Sequence, residues 1–224
     1  FLKNIKSIEL KRDGISKLIV KKSSKTHQKN ELITITSRPE KIKEKWIILK
    51  SELEKQTLNQ IYEEWPILRS AQRKTKIQIA IKIDKKPLEK GLLFAYLPTQ
   101  QRSQLPLHIQ ADFFPDLSRK YIAFSGASKE DRWNNALMKR ASELISEKLD
   151  TLNSYIDHKQ LFSIVVASFK AQEEESPYHF FWSNILEKSN NSKLIFSSKG
   201  DYESANDIAI DEGLTARRHV KKSS

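Results

Sequence analysis

The chain has 224 residues with 40 Lys plus Arg against 28 Asp plus Glu, a formal charge of +12. It has no cysteine, which excludes a disulfide framework, a thiolate zinc site and a thiol nucleophile, and its five histidines (His27, His108, His158, His179 and His219) are too scattered for a local metal motif. A composition 38% hydrophobic and 30% charged, with 5 Gly and 7 Pro, is that of a globular chain forming one domain or two small ones.

The basic excess is confined to one half: residues 1–100 hold 23 Lys plus Arg against 11 Asp plus Glu, and residues 101–224 hold 17 of each. Within the first half the pattern is that of a sheet. SIELKRDGISKLIVKK is expected to be a hairpin turning at Asp13-Gly14, followed by strands at 32–37 (LITITS) and 45–50 (KWIILK). Leu53, Thr57, Ile61, Tyr62 and Trp65 then recur at helical spacing until Pro66 ends the run. In KIQIAIKID, Ile77, Ile79, Ile81 and Ile83 share one face, which predicts a strand with one buried side. GLLFAYLP at 91–98 is apolar on both faces and predicts a central strand.

After residue 115 the period becomes helical. Trp133, Leu137, Ala141, Leu144, Ile145, Leu149 and Leu152 form one apolar stripe, a core face on a helix of about five turns or more. Trp133 is expected in the core and Asn134 as a helix cap. LFSIVVASF at 161–169 and YHFFWSNILEK at 178–188 predict further helices, SKLIFS a last strand, and ANDIAIDEGLTARRHVKKSS a frayed tail. The expected fold is α/β: a mixed sheet over residues 5–113 covered by helices, with a sheet-rich domain at 1–128 and a helical extension at 129–224 packing on it.

No apolar run reaches the roughly 18 residues of a membrane-spanning helix, so a cytoplasmic protein without a membrane partner is expected. The chain opens at Phe1 directly on a strand-like segment and has Met138 as its only methionine, which predicts a piece of a longer polypeptide.

Several kinds of chemistry are missing. The five glycines never come within ten residues of one another, so there is no Gly-rich phosphate loop, and none of the serines sits in a Gly-flanked elbow. The acidic runs Glu63-Glu64 and Glu173-Glu174-Glu175 lie in polar stretches unsuited to a catalytic carboxylate pair. No metal site is expected. Basic runs such as Lys85-Lys86 mostly flank apolar stretches, where lysines solvate strand ends and protect sheet edges. The alternative is a nucleic-acid-binding module without catalytic activity, using Lys11, Arg12, Lys21, Lys22, Lys41 and Lys43 on phosphates.

The most specific signal lies in residues 92–137. A strand ending in Leu97-Pro98-Thr99 is followed by Leu105-Pro106-Leu107-His108-Ile109, then Asp112-Phe113-Phe114, Ser118-Arg119, and Trp133-Asn134 opening a helix. In order and spacing this resembles the middle, or transducer, segment of sacsin-like ATPases. More distantly it is similar to the middle domain of the ninety-kilodalton heat-shock chaperones. The resemblance implies a ribosomal-protein-type transducer domain in the GHKL superfamily, which those chaperones share with gyrase and MutL, and a chaperone-like parent or one serving a nucleic-acid or defence system.

It further implies that an upstream domain of the same polypeptide holds ATP and Mg2+, neither of which this segment binds alone. Arg119 maps onto the cation that reaches the terminal phosphate, a task suited to a planar guanidinium with several donors. Ser118, His108, Gln110 and Asp112 would support that contact, the last two orienting the Arg119 loop. The client, nucleic acid or protein, and a homodimer of the intact protein stay open.

Overall fold

A computed structural model describes residues 6–27, 30–84, 88–124, 126, 128–173, 179–197 and 200–207. Asp13 and Gly14 both take left-handed backbone, φ 52° and 73°, the geometry of a tight two-residue hairpin, and so join β1 (Ser7–Arg12) to β2 (Ile15–His27) where the sequence places the turn. The meander continues through β3 (Asn30–Arg38) and β4 (Lys43–Glu52), each neighbour antiparallel. Helices α1 (Lys55–Glu64) and α2 (Ile67–Ser70) lead on to β5 (Lys76–Ile83), which pairs back on β4 with Ile47 opposite Ile81 and Leu49 opposite Ile79.

The alternation in β5 works as its period implies. Ile77, Ile79 and Ile81 are fully buried with Ile47, Leu49 and Ile109, while Gln78, Ala80 and Lys82 lie half-buried on the opposite face. Each such isoleucine contributes roughly 1.5–3 kcal/mol by leaving water, so this comb fixes which face turns inward.

The apolar run at 91–98 departs from expectation. Tyr96, at φ 72°, reverses the chain, so that β6 (Leu92–Ala95) and β7 (Leu97–Arg102) form an antiparallel pair with Ala95 opposite Leu97. An uninterrupted apolar run carries no register signal, and the turn inside it has no Gly, Asn or Asp to mark it. Strand β8 (His108–Ala111) enters between β5 and β6, parallel to β6, completing an eight-stranded mixed sheet in the order β1-β2-β3-β4-β5-β8-β6-β7. The run therefore supplies one inner strand and one edge.

Helix α3 (Lys129–Leu152) starts on the packed face of this sheet. Trp133, Leu137, Met138 and Ala141 are fully buried, Trp133 Nε1 donates to Asp112 O at 2.9 Å, and Arg140 Nε donates to Ser51 Oγ at 2.9 Å. Asn134 is not its cap. Ser128 caps it, with Asp131 N donating to Ser128 Oγ at 3.0 Å and Ser128 N returning to Asp131 Oδ2 at 3.4 Å.

The chain divides into compact units of residues 1–144 and 145–224, inside α3 rather than ahead of it at residue 128, because the first half of the helix is tied to the sheet. The second unit contains α4 (His158–Glu173), α5 (His179–Asn190) and a small ribbon of β9 (Ile195–Phe196) and β10 (Tyr202–Glu203). Ile164, Trp182 and Ile185 are buried there, and Asp157 Oδ1 accepts from Gln160 N at 2.7 Å to cap α4. The readings of Lys85-Lys86, of Glu174 and Glu175, and of the tail beyond Asp207 lie outside the described residues. Among the described residues no helix is long and apolar enough to cross a membrane.

Candidate functional site

Arg119 sits at the tip of a small hairpin whose stem is the bridge between Pro115 and Ile122. Asp116 organises the turn. Its backbone N–H donates to Tyr121 O at 2.8 Å and its carbonyl accepts from Arg119 N at 2.9 Å. Its carboxylate accepts from Ser118 Oγ at 2.7 Å, Lys120 N at 3.0 Å and Tyr121 N at 3.2 Å. These donors, the Ser118 hydroxyl foremost, hold the Asp116 carboxyl below the usual carboxylate range. Arg119 itself takes φ 57°, a left-handed conformation imposed on a residue with a Cβ.

The base of the hairpin is clamped from outside. Asn134, fully buried on α3, accepts from Phe114 N at 2.7 Å and donates to Phe114 O at 2.9 Å and Ala123 O at 3.1 Å, gripping both stems with one side chain. On the sheet side Gln100 N donates to Lys120 O at 2.9 Å, and Ile122 N donates to Gln101 Oε1. The Arg119 side chain is exposed and makes no hydrogen bond or ion pair among the described residues. A braced backbone thus carries a guanidinium whose donors meet no acceptor among the described residues.

The expected supporting residues are placed differently from one another. Ser118 belongs to the hairpin, its hydroxyl committed to Asp116. His108 is held elsewhere: Nδ1 accepts from Leu92 N at 2.9 Å, which assigns the proton to Nε2, while the ring stacks on Trp46 at 5.4 Å and meets Phe94 edge-on at 5.3 Å. Gln110 stands on the same sheet face, opposite Gln78. Asp112 lies just past the end of β8, in an ion pair with Arg73 at 3.1 Å, and accepts from Lys74 N at 2.8 Å. Asp112, expected with Gln110 to orient the Arg119 loop, bonds to Arg73, Lys74 and Trp133, and the turn is braced by Asp116 and Asn134.

Arg73 is a feature the sequence reading missed. Its guanidinium lies 3.9 Å from the Phe114 ring centroid, Nη2 donates to Asp112 O at 2.6 Å and Phe113 O at 3.2 Å, and Trp65 closes on the other edge of Phe114 at 5.5 Å. Burial pulls the Arg73 pKa down, Asp112 opposes that shift, and Nε has no partner among the described residues. The available signal was residue choice, one of four arginines among the 23 basic residues of this half, since only a planar fork both stacks and chelates carbonyls.

The six basic residues of the alternative reading do not form one surface. Lys11 pairs with Glu9 at 3.7 Å and Arg12 lies 3.9 Å from Asp13, both at the hairpin end. Lys21 and Lys43 flank Thr36 on one face of the sheet, Lys22 lies opposite Ile35 on the other, and Lys41 is in the exposed β3–β4 connection. Glu64 forms an exposed ion pair with Arg132. Among the described residues no group of three or more His, Asp or Glu could hold a metal ion. No family model, curated protein or solved structure matches the chain.

Proposed function

We propose that this chain is a transducer-type module that presents Arg119 to the terminal phosphate of ATP held, with Mg2+, by a preceding domain. The observation that carries this reading is the exposed guanidinium, unpaired among the described residues, on a turn whose backbone is braced by Asp116 and clamped by Asn134. An arginine kept for structure spends its donors on carboxylates and carbonyls, as Arg73 does. Arg119 spends none.

Bracing the backbone means that only the side chain loses freedom when it meets a phosphate, so the charge arrives positioned where transfer develops it. Because Asn134 ties both stems to α3, a shift of Arg119 toward or away from a phosphate is transmitted to that helix, which is what coupling hydrolysis to a conformational change requires.

The test is Arg119→Ala and Arg119→Lys in the longer polypeptide carrying the nucleotide-holding domain. For Arg119→Ala, ATP turnover is expected to fall about a hundredfold or more while ATP affinity stays within about threefold and the melting curve is unchanged. Unchanged turnover in a well-folded variant would leave Arg119 an ordinary surface cation.

A further inference from the structure

Strand register gathers lysines that the sequence order scatters. Lys21 on β2 is opposite Thr36 on β3, which is opposite Lys43 on β4; Lys25 is opposite Leu32; and Lys45 is opposite Thr34, which is opposite Ser23. Lys21, Lys25, Lys43 and Lys45 therefore project from one face, interleaved with the hydroxyls of Ser23, Thr34 and Thr36. All four lysines are exposed, and none makes an ion pair or hydrogen bond among the described residues. The acid on this face of the meander is Glu9 on β1, bonded to Ser16 and Lys11 and also acting on Lys21 through space without an ion pair.

Edge protection does not explain the arrangement. Lys21 is paired on one side to Ser7 and on the other to Thr36, and Lys45 to Thr34 and Ile83, so both lie inside the sheet. On the reverse face, by contrast, Lys50 is neutralised by Glu31 at 2.6 Å and Lys82 by Glu44 at 2.8 Å. Lys50 and Lys82 are thus held by acids on the reverse face, whereas Lys21, Lys25, Lys43 and Lys45 have no such partner among the described residues.

We infer that this face binds the phosphate backbone of a nucleic-acid duplex. Strand spacings place Lys21 and Lys43 about 10 Å apart and Lys21 and Lys25 about 14 Å apart. That is on the order of the 12 Å major groove separating two rows of phosphates. The hydroxyls between the lysines are further phosphate donors. Among the described residues of these strands no aromatic is available for stacking an unpaired base, since Trp46 belongs to the reverse face with Lys82, so the partner is a duplex read by charge and shape. This surface is separate from the Arg119 hairpin, and the inference stands or falls independently of the ATPase reading.

The experiment uses the chain and a fluorescent random-sequence duplex, with binding followed by anisotropy. Four phosphate contacts predict affinity falling about a hundredfold between 50 and 200 mM salt. In the variant Lys21→Ser/Lys45→Ser the logarithmic salt slope should fall by about half. The control Lys76→Ser/Lys188→Ser, which removes the same charge from ion pairs elsewhere, should keep the slope. Equal losses in both variants, each shown folded by its melting curve, would reduce the effect to net charge and overturn the site. It is equally overturned by tighter binding to the single strand, or by displacement of the duplex by vesicles rich in anionic lipid at matched charge.

Discussion

Burial of the His108 ring between Trp46 and Phe94 pushes its pKa below the ordinary 6.5. The unfolded chain then takes up a proton at a pH where the folded one does not, so the His108 contribution to stability is complete above about 6.5 and is lost as pH falls through the depressed folded value. His108→Phe keeps a ring in the stack but removes both the titration and the acceptor of Leu92 N–H. We expect it to cost about 1–3 kcal/mol at pH 7.5 and to flatten the decline of stability between pH 7 and 5. Denaturant melts of the two proteins across that range check this, and parallel curves would mean that His108 does not titrate as described. At this scale the sequence places His108 in the Leu105–Ile109 phrase but shows neither its role as acceptor from Leu92 N nor its ring neighbours. It did not reveal the left-handed backbone of Arg119 or the brace from Asp116, because contacts made within a turn depend on dihedral angles that residue order does not display.

Between elements, one side chain clamps the candidate site and one missing Cβ permits a close approach elsewhere in the sheet. Asn134→Ala would strip three partners from the ends of the Arg119 hairpin at once, and we expect a loss of roughly 2–3 kcal/mol, with amide exchange rising over 114–123 before the sheet opens. Gly91 lies where a Cβ would come within 1.6 Å of Leu107 O, while its own N–H donates to Leu105 O at 2.7 Å. Gly91→Ala must therefore push the Leu105–Leu107 segment away from β6, at a cost of about 3 kcal/mol by thermal melting; a change under 1 kcal/mol would contradict the close approach.

The strands and helices themselves were largely legible, since alternation at Ile77–Ile83 and three- and four-residue steps from Trp133 report burial directly. The cap was legible too, as Ser128-Lys129-Glu130-Asp131 has the reciprocal spacing of a capping box, although Asn134 drew attention first. What escaped was the reversal at Tyr96, where no turn-forming residue interrupts an apolar run.

For the whole molecule, charge and fold are distributed differently from what residue order suggests. Once register is known, Lys21, Lys25, Lys43 and Lys45 fall on one face of the sheet and Lys22, Lys50 and Lys82 on the other, a separation that adjacent residues such as Lys21 and Lys22 hide in the sequence. Nothing in that distribution makes a nucleotide pocket. The chain has no Gly-rich loop to turn backbone N–H groups onto phosphates, and among the described residues no acidic cluster to hold a divalent ion.

If Arg119 were the chain's one contact with ATP, a bidentate charge-assisted pair would supply roughly 1.5–3 kcal/mol. That is less than the roughly 4–15 kcal/mol that association costs in translational and rotational freedom. The balance is unfavourable, and we expect calorimetric titration of the 224-residue chain with Mg2+ and a nonhydrolysable ATP analogue to show no saturable heat below millimolar concentration. Arg119→Ala should leave that titration unchanged, because the residue is expected to act only when another domain has already positioned the phosphate. Micromolar binding to the chain alone, lost in Arg119→Ala, would place the nucleotide on this module and assign Arg119 a ground-state binding role in place of a transition-state one.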